Sequence, residues 1–393
     1  MKKIMLLAAI LLFGGCVHQV QPPFALASNV FDSAQPATLG LQSVPGAYTS
    51  TVFTARAGGN TYNHGAVLLP FKGELYVQWQ SSARDEDADD TEVRFSKTSN
   101  HLSWSEPKTL AKSTASELIT NGGWWTDGET LVAYLNIWPK HLDPKAGYVS
   151  YITSTDGRQW SQPKRVQMQG GGYVNGVIEQ DLKALPSGRV LTAVHTQPGL
   201  IAKPYFTDDP LAISGWREGR MTNLPHKPGI SRELEPSWFL NAQGEAVMTF
   251  RDQGGSYKVL ASVSRDNGES WSLPMETNMP DSRAKQSAGN LPDGSAYIVN
   301  NPSGVKARFP LVLSVSNDGE WFDEAWLLRA GDEDMPAVAF DGRYKRVGYS
   351  YPKSIVWNNA IYVAYAESKE NIVVTRVPID ELVNSTKPDA RKP

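Results

Sequence analysis

Seven residues scattered along this 393-residue chain are of the types that move protons or hold anions: His64, Tyr173, His195, Arg232, Arg251, Tyr349 and Tyr351. A histidine or tyrosine can take a proton and give it back. A tyrosine next to a carboxylate such as Glu235 can serve as a nucleophile. An arginine grips a carboxylate or sulfate through two parallel N–H bonds. A second group suits the holding of a sugar. Trp124 and Trp125 offer flat apolar faces, and Arg84, Arg189, Glu235, Lys285 and Asn301 offer charge and hydrogen bonds. The ligand that fits these types is a saccharide bearing carboxylate or sulfate. No H-E-x-x-H, cysteine cluster or calcium loop calls for a metal. No cofactor is expected, and a structural metal ion is compatible with the sequence.

Residues this far apart meet only in a fold that returns repeatedly to one point. Trp-Ser-x-Pro occurs at Trp104, Trp160 and Trp271, and the first two copies stand 56 residues apart. The gap from Trp160 to Trp271 is one residue short of twice that, and Trp216 marks the middle; one more period lands near Trp326. A period of this size means a propeller or an array. The stretch from Glu235 to Pro274 reads as four short strands separated by turns, which is one propeller blade. The last unit, 348–379, shows only three strands. An open ring leaves edges that aggregate, so the N-terminal segment around 48–55 is expected to supply the missing one. The expectation is an all-β, six-bladed propeller of four-stranded antiparallel sheets; seven blades is the alternative.

In a blade whose strands run up and down from the axis outward, strand-one starts and strand-two ends share one face. Their loops converge on a central funnel, the natural place for a ligand. His64, Tyr173, Arg232 and Arg251 are therefore expected around one axial cavity. His195, Lys285, Asn301, Trp124, Trp125, Arg84, Tyr349 and Tyr351 belong to the same set of loops. By this geometry Arg189 is a hairpin residue with a structural role. The acidic run Asp85–Asp90 reads as solvated.

Net charge is −3 with no basic block, which argues against nucleic acid as a partner. Lys2 and Lys3, the apolar run Ile4–Phe13 and then Gly14-Gly15-Cys16 read as a leader. The run is too short to span a membrane. Residues 1–15 are expected to be removed and 16–57 to form a linker and ring-closing strand. The propeller should occupy 58–383, followed by a flexible tail at 384–393. Gly14-Gly15-Cys16 resembles the lipoprotein signal of bacteria. The resemblance implies lipidation of Cys16 and an exported monomer, tethered to the outer membrane, with no other membrane contact.

The turn Ser264-Arg-Asp-Asn-Gly-Glu-Ser-Trp271 resembles the Asp box of the sialidase-like (BNR repeat) propellers. Shorter versions stand at 154–160 and 316–322, and a degenerate one at 98–104. The longer stretches 63–98, 204–217, 235–271 and 348–372 carry the same likeness. It implies an enzyme acting on acidic sugars. Sialidases carry an Arg-Ile-Pro in the first blade, where this chain has Asn63-His64; a tyrosine at the start of blade six, here Tyr349 or Tyr351, pairs in them with a glutamate, here Glu235. A first-blade histidine resembles instead the ulvan lyases and related rhamnose–glucuronate enzymes. In ulvan lyases a tyrosine precedes an arginine by sixteen residues, as Tyr173 precedes Arg189, which makes Arg189 a substrate candidate. The leading expectation is β-elimination on a uronate-containing poly- or oligosaccharide, sulfated or not, with His64 or Tyr173 as base and acid. An exo-glycoside hydrolase, sialidase-like or rhamnosidase-like, is the alternative, and a non-catalytic surface glycan binder is the second.

Overall fold

The computed structural model describes residues 21–332 and 335–385. The leader, Cys16 and residues 386–393 lie outside them. Six antiparallel sheets are arranged as a ring of blades. Blade 1 runs outward through Tyr62–Phe71, Glu74–Ser82, Glu92–Thr98 and Lys108–Lys112. Blades 2, 4 and 5 repeat the order. In blade 3 the innermost strand is split into Gly176–Ile178 and Lys183–Ala184, both paired with Val190–Thr196. Blade 6 takes three strands from the C-terminal part and its outermost from Tyr48–Phe53, which pairs antiparallel with Asn371–Pro378.

Blades stack face to face, so their inner strands are buried on both sides and read as continuous apolar runs rather than alternating ones. Leu131–Leu135 of blade 2 shows this, as does Leu75–Val77 of blade 1. Each gap between neighbouring blades holds its own apolar cluster: Val67 with Leu131 and Leu135 between blades 1 and 2, Tyr134 with Val190 between 2 and 3, and Leu191 with Met248 between 3 and 4. The series continues with Phe239 and Ile298, then Leu313 and Val363, then Tyr362 back to Val77. Six interfaces, the last returning to blade 1, make the ring closed.

The repeat residues hold the outer turns. In the Asp box at 264–271 and its shorter versions at 154–160 and 316–322 the serine hydroxyl accepts from the glycine N–H (Gly157, Gly268 and Gly319, 2.8–2.9 Å), and the aspartate accepts from a backbone N–H three or four residues on. In Trp-Ser-x-Pro the serine Oγ receives the strand-three N–H of Lys97, Thr153 or Val263. Trp216 and Trp271 are buried, and Trp104 and Trp160 partly so. Blade 5 departs from the expected spacing: buried Phe322 occupies the anchor position, while Trp326 sits inside the outermost strand Glu324–Arg329.

Candidate active site

All six blades contribute to one cavity of about 510 Å³ on the axis. His64, Asn121, Glu179, Glu235, Lys285 and Tyr351 each reach it from the axial end of a different blade. What aims them is a shared irregularity. Four innermost strands lose register just inside that end, at His64/Val67, Asn121/Gly123, Leu234/Ser237 and Ser350/Lys353. A bulge sets two residues against one and redirects a side chain. In blades 1 and 2 glycines take the left-handed backbone this requires, Gly65 (φ 67°) and Gly123 (φ 95°). In blades 4 and 6 the residues are Glu235 (φ 52°) and Tyr351 (φ 57°). That conformation is costly for side chains of their size and gathers at functional sites.

Glu235 and Tyr351 are joined by one guanidinium. Arg251 Nη1 donates to Glu235 Oε2 and to the Tyr351 hydroxyl, both at 2.9 Å. Burial favours the neutral acid of Glu235, but the charges of Arg251 and Lys285 outweigh it and hold the carboxyl below its ordinary range. Burial, then the charge of Glu235, pushes the Tyr351 phenol up. Four groups crowd the Tyr351 ring: His64 with centroids 4.2 Å apart, the Arg308 guanidinium at 4.7 Å, Lys285 Nζ at 5.4 Å and Lys369 Nζ at 5.8 Å.

A polar floor lies beside them. Lys285 Nζ pairs with Glu179 (2.9 Å) and bonds Gln180 Oε1 (3.0 Å). His195 Nδ1 faces Glu179 at 3.0 Å, and its Nε2 receives the Glu235 N–H at 3.4 Å. Burial opposes the Glu179 charge, yet Lys285 and His195 hold its carboxyl well below the usual range. Both nitrogens of His195 are thus engaged. Those of His64 have no hydrogen-bond partner among the described residues, and burial, followed by Lys369, Arg308 and Lys285, drives its imidazole strongly toward the neutral form.

A second cavity, about 240 Å³, adjoins the first; Tyr351 and Glu86 line both. Arg251 and Arg308 open into it, and Lys369 holds Glu86 at 2.9 Å.

Of the residues singled out in the sequence, His64, His195, Glu235, Lys285 and Tyr351 meet in the first cavity and Arg251 behind it. The others stand elsewhere. Tyr173 is half-exposed in a loop and stacked by Arg165, lining neither cavity. Arg232 is clamped by Asp252 and by Glu276 of the outermost strand of its blade. Tyr349 is core, its hydroxyl on Ala330 O. The innermost strand of blade 2 begins at Glu117, so Thr120 and Asn121 reach the axis while Trp124 packs into core and Trp125 bonds Pro210 O. Arg189 ties its hairpin to Asp208 and Glu269, the structural role that blade geometry implied. Arg84 is exposed beside Asp85, and buried Asn301 bonds Pro310 O. Conversely, Glu86 and Asp87 from the supposedly solvated run line the first cavity.

The sequence matches the BNR repeat-like domain family over residues 73–363. The chain belongs to this family. Among solved structures, this BNR repeat-like propeller resembles a sialidase at 15% identity and TM-score 0.64, covering 91% of this chain but only 35% of that one. It also resembles a protein of unknown function from Dyadobacter fermentans (14%, 0.64, covering 85% and 99%). A third is the intramolecular trans-sialidase from Ruminococcus gnavus, solved with oseltamivir carboxylate (14%, 0.63, covering 86% and 99%). The chain spans about a third of the first of these. A search of curated protein sequences returns no match. At such identities the likeness establishes the sialidase-like fold.

Proposed function

We propose that this propeller is a glycoside hydrolase that removes a terminal acidic sugar, with Tyr351 as nucleophile. The carrying observation is the Glu235–Arg251–Tyr351 chain, with both Glu235 and Tyr351 held in left-handed backbone at the cavity wall. The raised phenol is neutral at pH 7, so attack on the anomeric carbon must be coupled to loss of its proton. Glu235, kept ionised, is the group placed to accept it. As the C–O bond forms, the glycosidic bond breaks and its oxygen needs a proton, which the Lys369–Glu86 pair beside Tyr351 can supply, the proton resting on the Lys369 ammonium, whose pKa burial lowers to about 8. Water then cleaves the tyrosyl–sugar bond, returning the phenol, with the same pair acting as base. Arg308, whose Nη1 has no partner, and Arg251 suit the sugar carboxylate.

Hydrolysis is better supported than β-elimination. Tyr173 is away from the cavity, His195 is engaged at both nitrogens, and His64 sits where taking up a second ring proton is strongly disfavoured. The sialidase and trans-sialidase likenesses point the same way. The leader and Cys16 extend the proposal to an outer-membrane lipoprotein acting on saccharides at or outside the membrane.

The test is to incubate the protein with acidic oligosaccharides and follow new reducing ends and the near-ultraviolet absorbance of unsaturated uronate. Reducing ends without absorbance are expected. Glu235→Gln should lower turnover by about 10²–10⁴-fold, and Tyr351→Phe by at least as much. Full activity in Tyr351→Phe, or unsaturated products, would refute the reading.

A further inference from the structure

The second cavity holds more positive charge than one carboxylate can use. Arg251 and Lys369 already have partners, Glu235 and Glu86. Four further cations open into the same space: Arg283, Lys306, Arg308 and Arg346. Among the described residues none of these four lies within ion-pairing distance of a carboxylate. Arg308 is 6% exposed with Nη1 unpartnered, and Arg283 Nε is likewise buried and unpartnered. Arg283 is held in left-handed backbone with φ at 56°, as are Tyr344 and Lys369, which line the same cavity.

Like charges crowded this way repel. Lys306, though exposed, is pushed toward its neutral form first by Arg346, with Arg283, Arg251 and Arg308 adding to it. Arg346 is shifted down too, by burial and then by Arg308. Folding alone would not favour such a cluster, because unpaired guanidinium groups are dispersed more cheaply in water. A ligand with several negative oxygens removes the repulsion and fills the open donors at once. The cavity has room for it: 240 Å³ equals about eight water volumes at ~30 Å³ each.

We propose that Arg283, Lys306, Arg308 and Arg346 form a subsite for a second anionic group, a tetrahedral oxyanion carried by the sugar as a sulfate or phosphate ester. This rests on the hydrolase reading for the placement of the sugar, with its carboxylate on Arg251 beside Tyr351 and Arg308 shared between the carboxylate and the second anion. The ester stands farther out, toward Lys306 and Arg346, and remains uncleaved.

Inorganic sulfate and inorganic phosphate are the first probes, titrated against chloride at constant ionic strength while the thermal midpoint is read. Either or both should raise the midpoint of the wild type above chloride. In Lys306→Gln/Arg346→Gln, whose side chains are outside the core, the concentration needed should rise about tenfold or more. Equal responses of wild type and variant, or no response beyond chloride, overturn the subsite. Matched acidic oligosaccharides bearing sulfate, phosphate or neither then separate the sources by kcat/KM: the favoured ester identifies the ligand, and its advantage should shrink in the variant. Equal rates on all three overturn the proposal. Failure of the hydrolase reading looks different. No product would form from any of the three, while the oxyanion-dependent midpoint and its loss in the variant would remain and sustain the subsite.

Discussion

Replacing Lys353 with methionine should make the protein more stable. Lys353 lies in the innermost strand of blade 6, and its ammonium faces a narrow axial cavity of about 140 Å³ with Asp181 and Lys183. Lys183 takes the better share of the carboxylate at 3.1 Å and adds bonds to Trp238 O and Ala288 O. Lys353 Nζ is left 3.6 Å from Asp181 without a hydrogen bond, on a side chain 3% exposed. Burial, only partly offset by Asp181, lowers its pKa from 10.5 to about 8. At 1.36 kcal/mol per unit this is a penalty of about 3 kcal/mol whenever the amine is charged. The sign follows from proton counting. Between pH 8 and 10.5 the unfolded chain binds more protons than the folded one, so stability rises with pH through that window. Below pH 8 the whole penalty is present. Methionine keeps the length and removes the charge, and Asp181 keeps Lys183. Denaturant unfolding should therefore find Lys353→Met more stable by up to about 3 kcal/mol at pH 7, with the gap closing toward pH 10.5. A variant less stable at pH 7, or a gap indifferent to pH, would refute the reasoning.

Tyr173→Phe should leave both turnover and stability unchanged, because this half-exposed residue lines neither cavity; matched kinetic and melting curves check this. Cys16→Ser should move the expressed protein from the membrane fraction to the soluble one and remove the lipid mass from the N-terminal peptide, as fractionation and mass spectrometry would record.

The ring could be read in advance because its signals repeat. Tryptophans, box serines and glycines at one period report strand ends without any long-range information. The axis could be approached but not resolved. A strand turns its side chains over with every residue, so the bulge at Ser350/Lys353 decides which tyrosine faces the cavity. Tyr349 goes to core and Tyr351 to the site, and nothing in Tyr-Ser-Tyr announces that bulge. The same holds in blade 2, where the strand starts upstream of the tryptophans that mark it. Glu86, Arg308, Arg346 and Lys369 were missed because they sit on connections between strands or at their ends, where no period applies. Their signal was compositional: a dense acidic run, distant in sequence but brought alongside where blade 1 meets blade 6, and the basic residues of 306–308 and 343–346.

The strand Tyr48–Phe53 that clasps blade 6 has a consequence in time. Ser50 meets Val374 across 324 positions of chain. At about 5–20 residues per second of synthesis, the early strand waits on the order of 16–65 s for its partner. Throughout that interval each completed blade presents an apolar face that only the next can cover. The clasp cannot act as a nucleus, since the chain reaches it last. It acts as a lock, and its effect should fall on the rate of opening more than on the rate of folding.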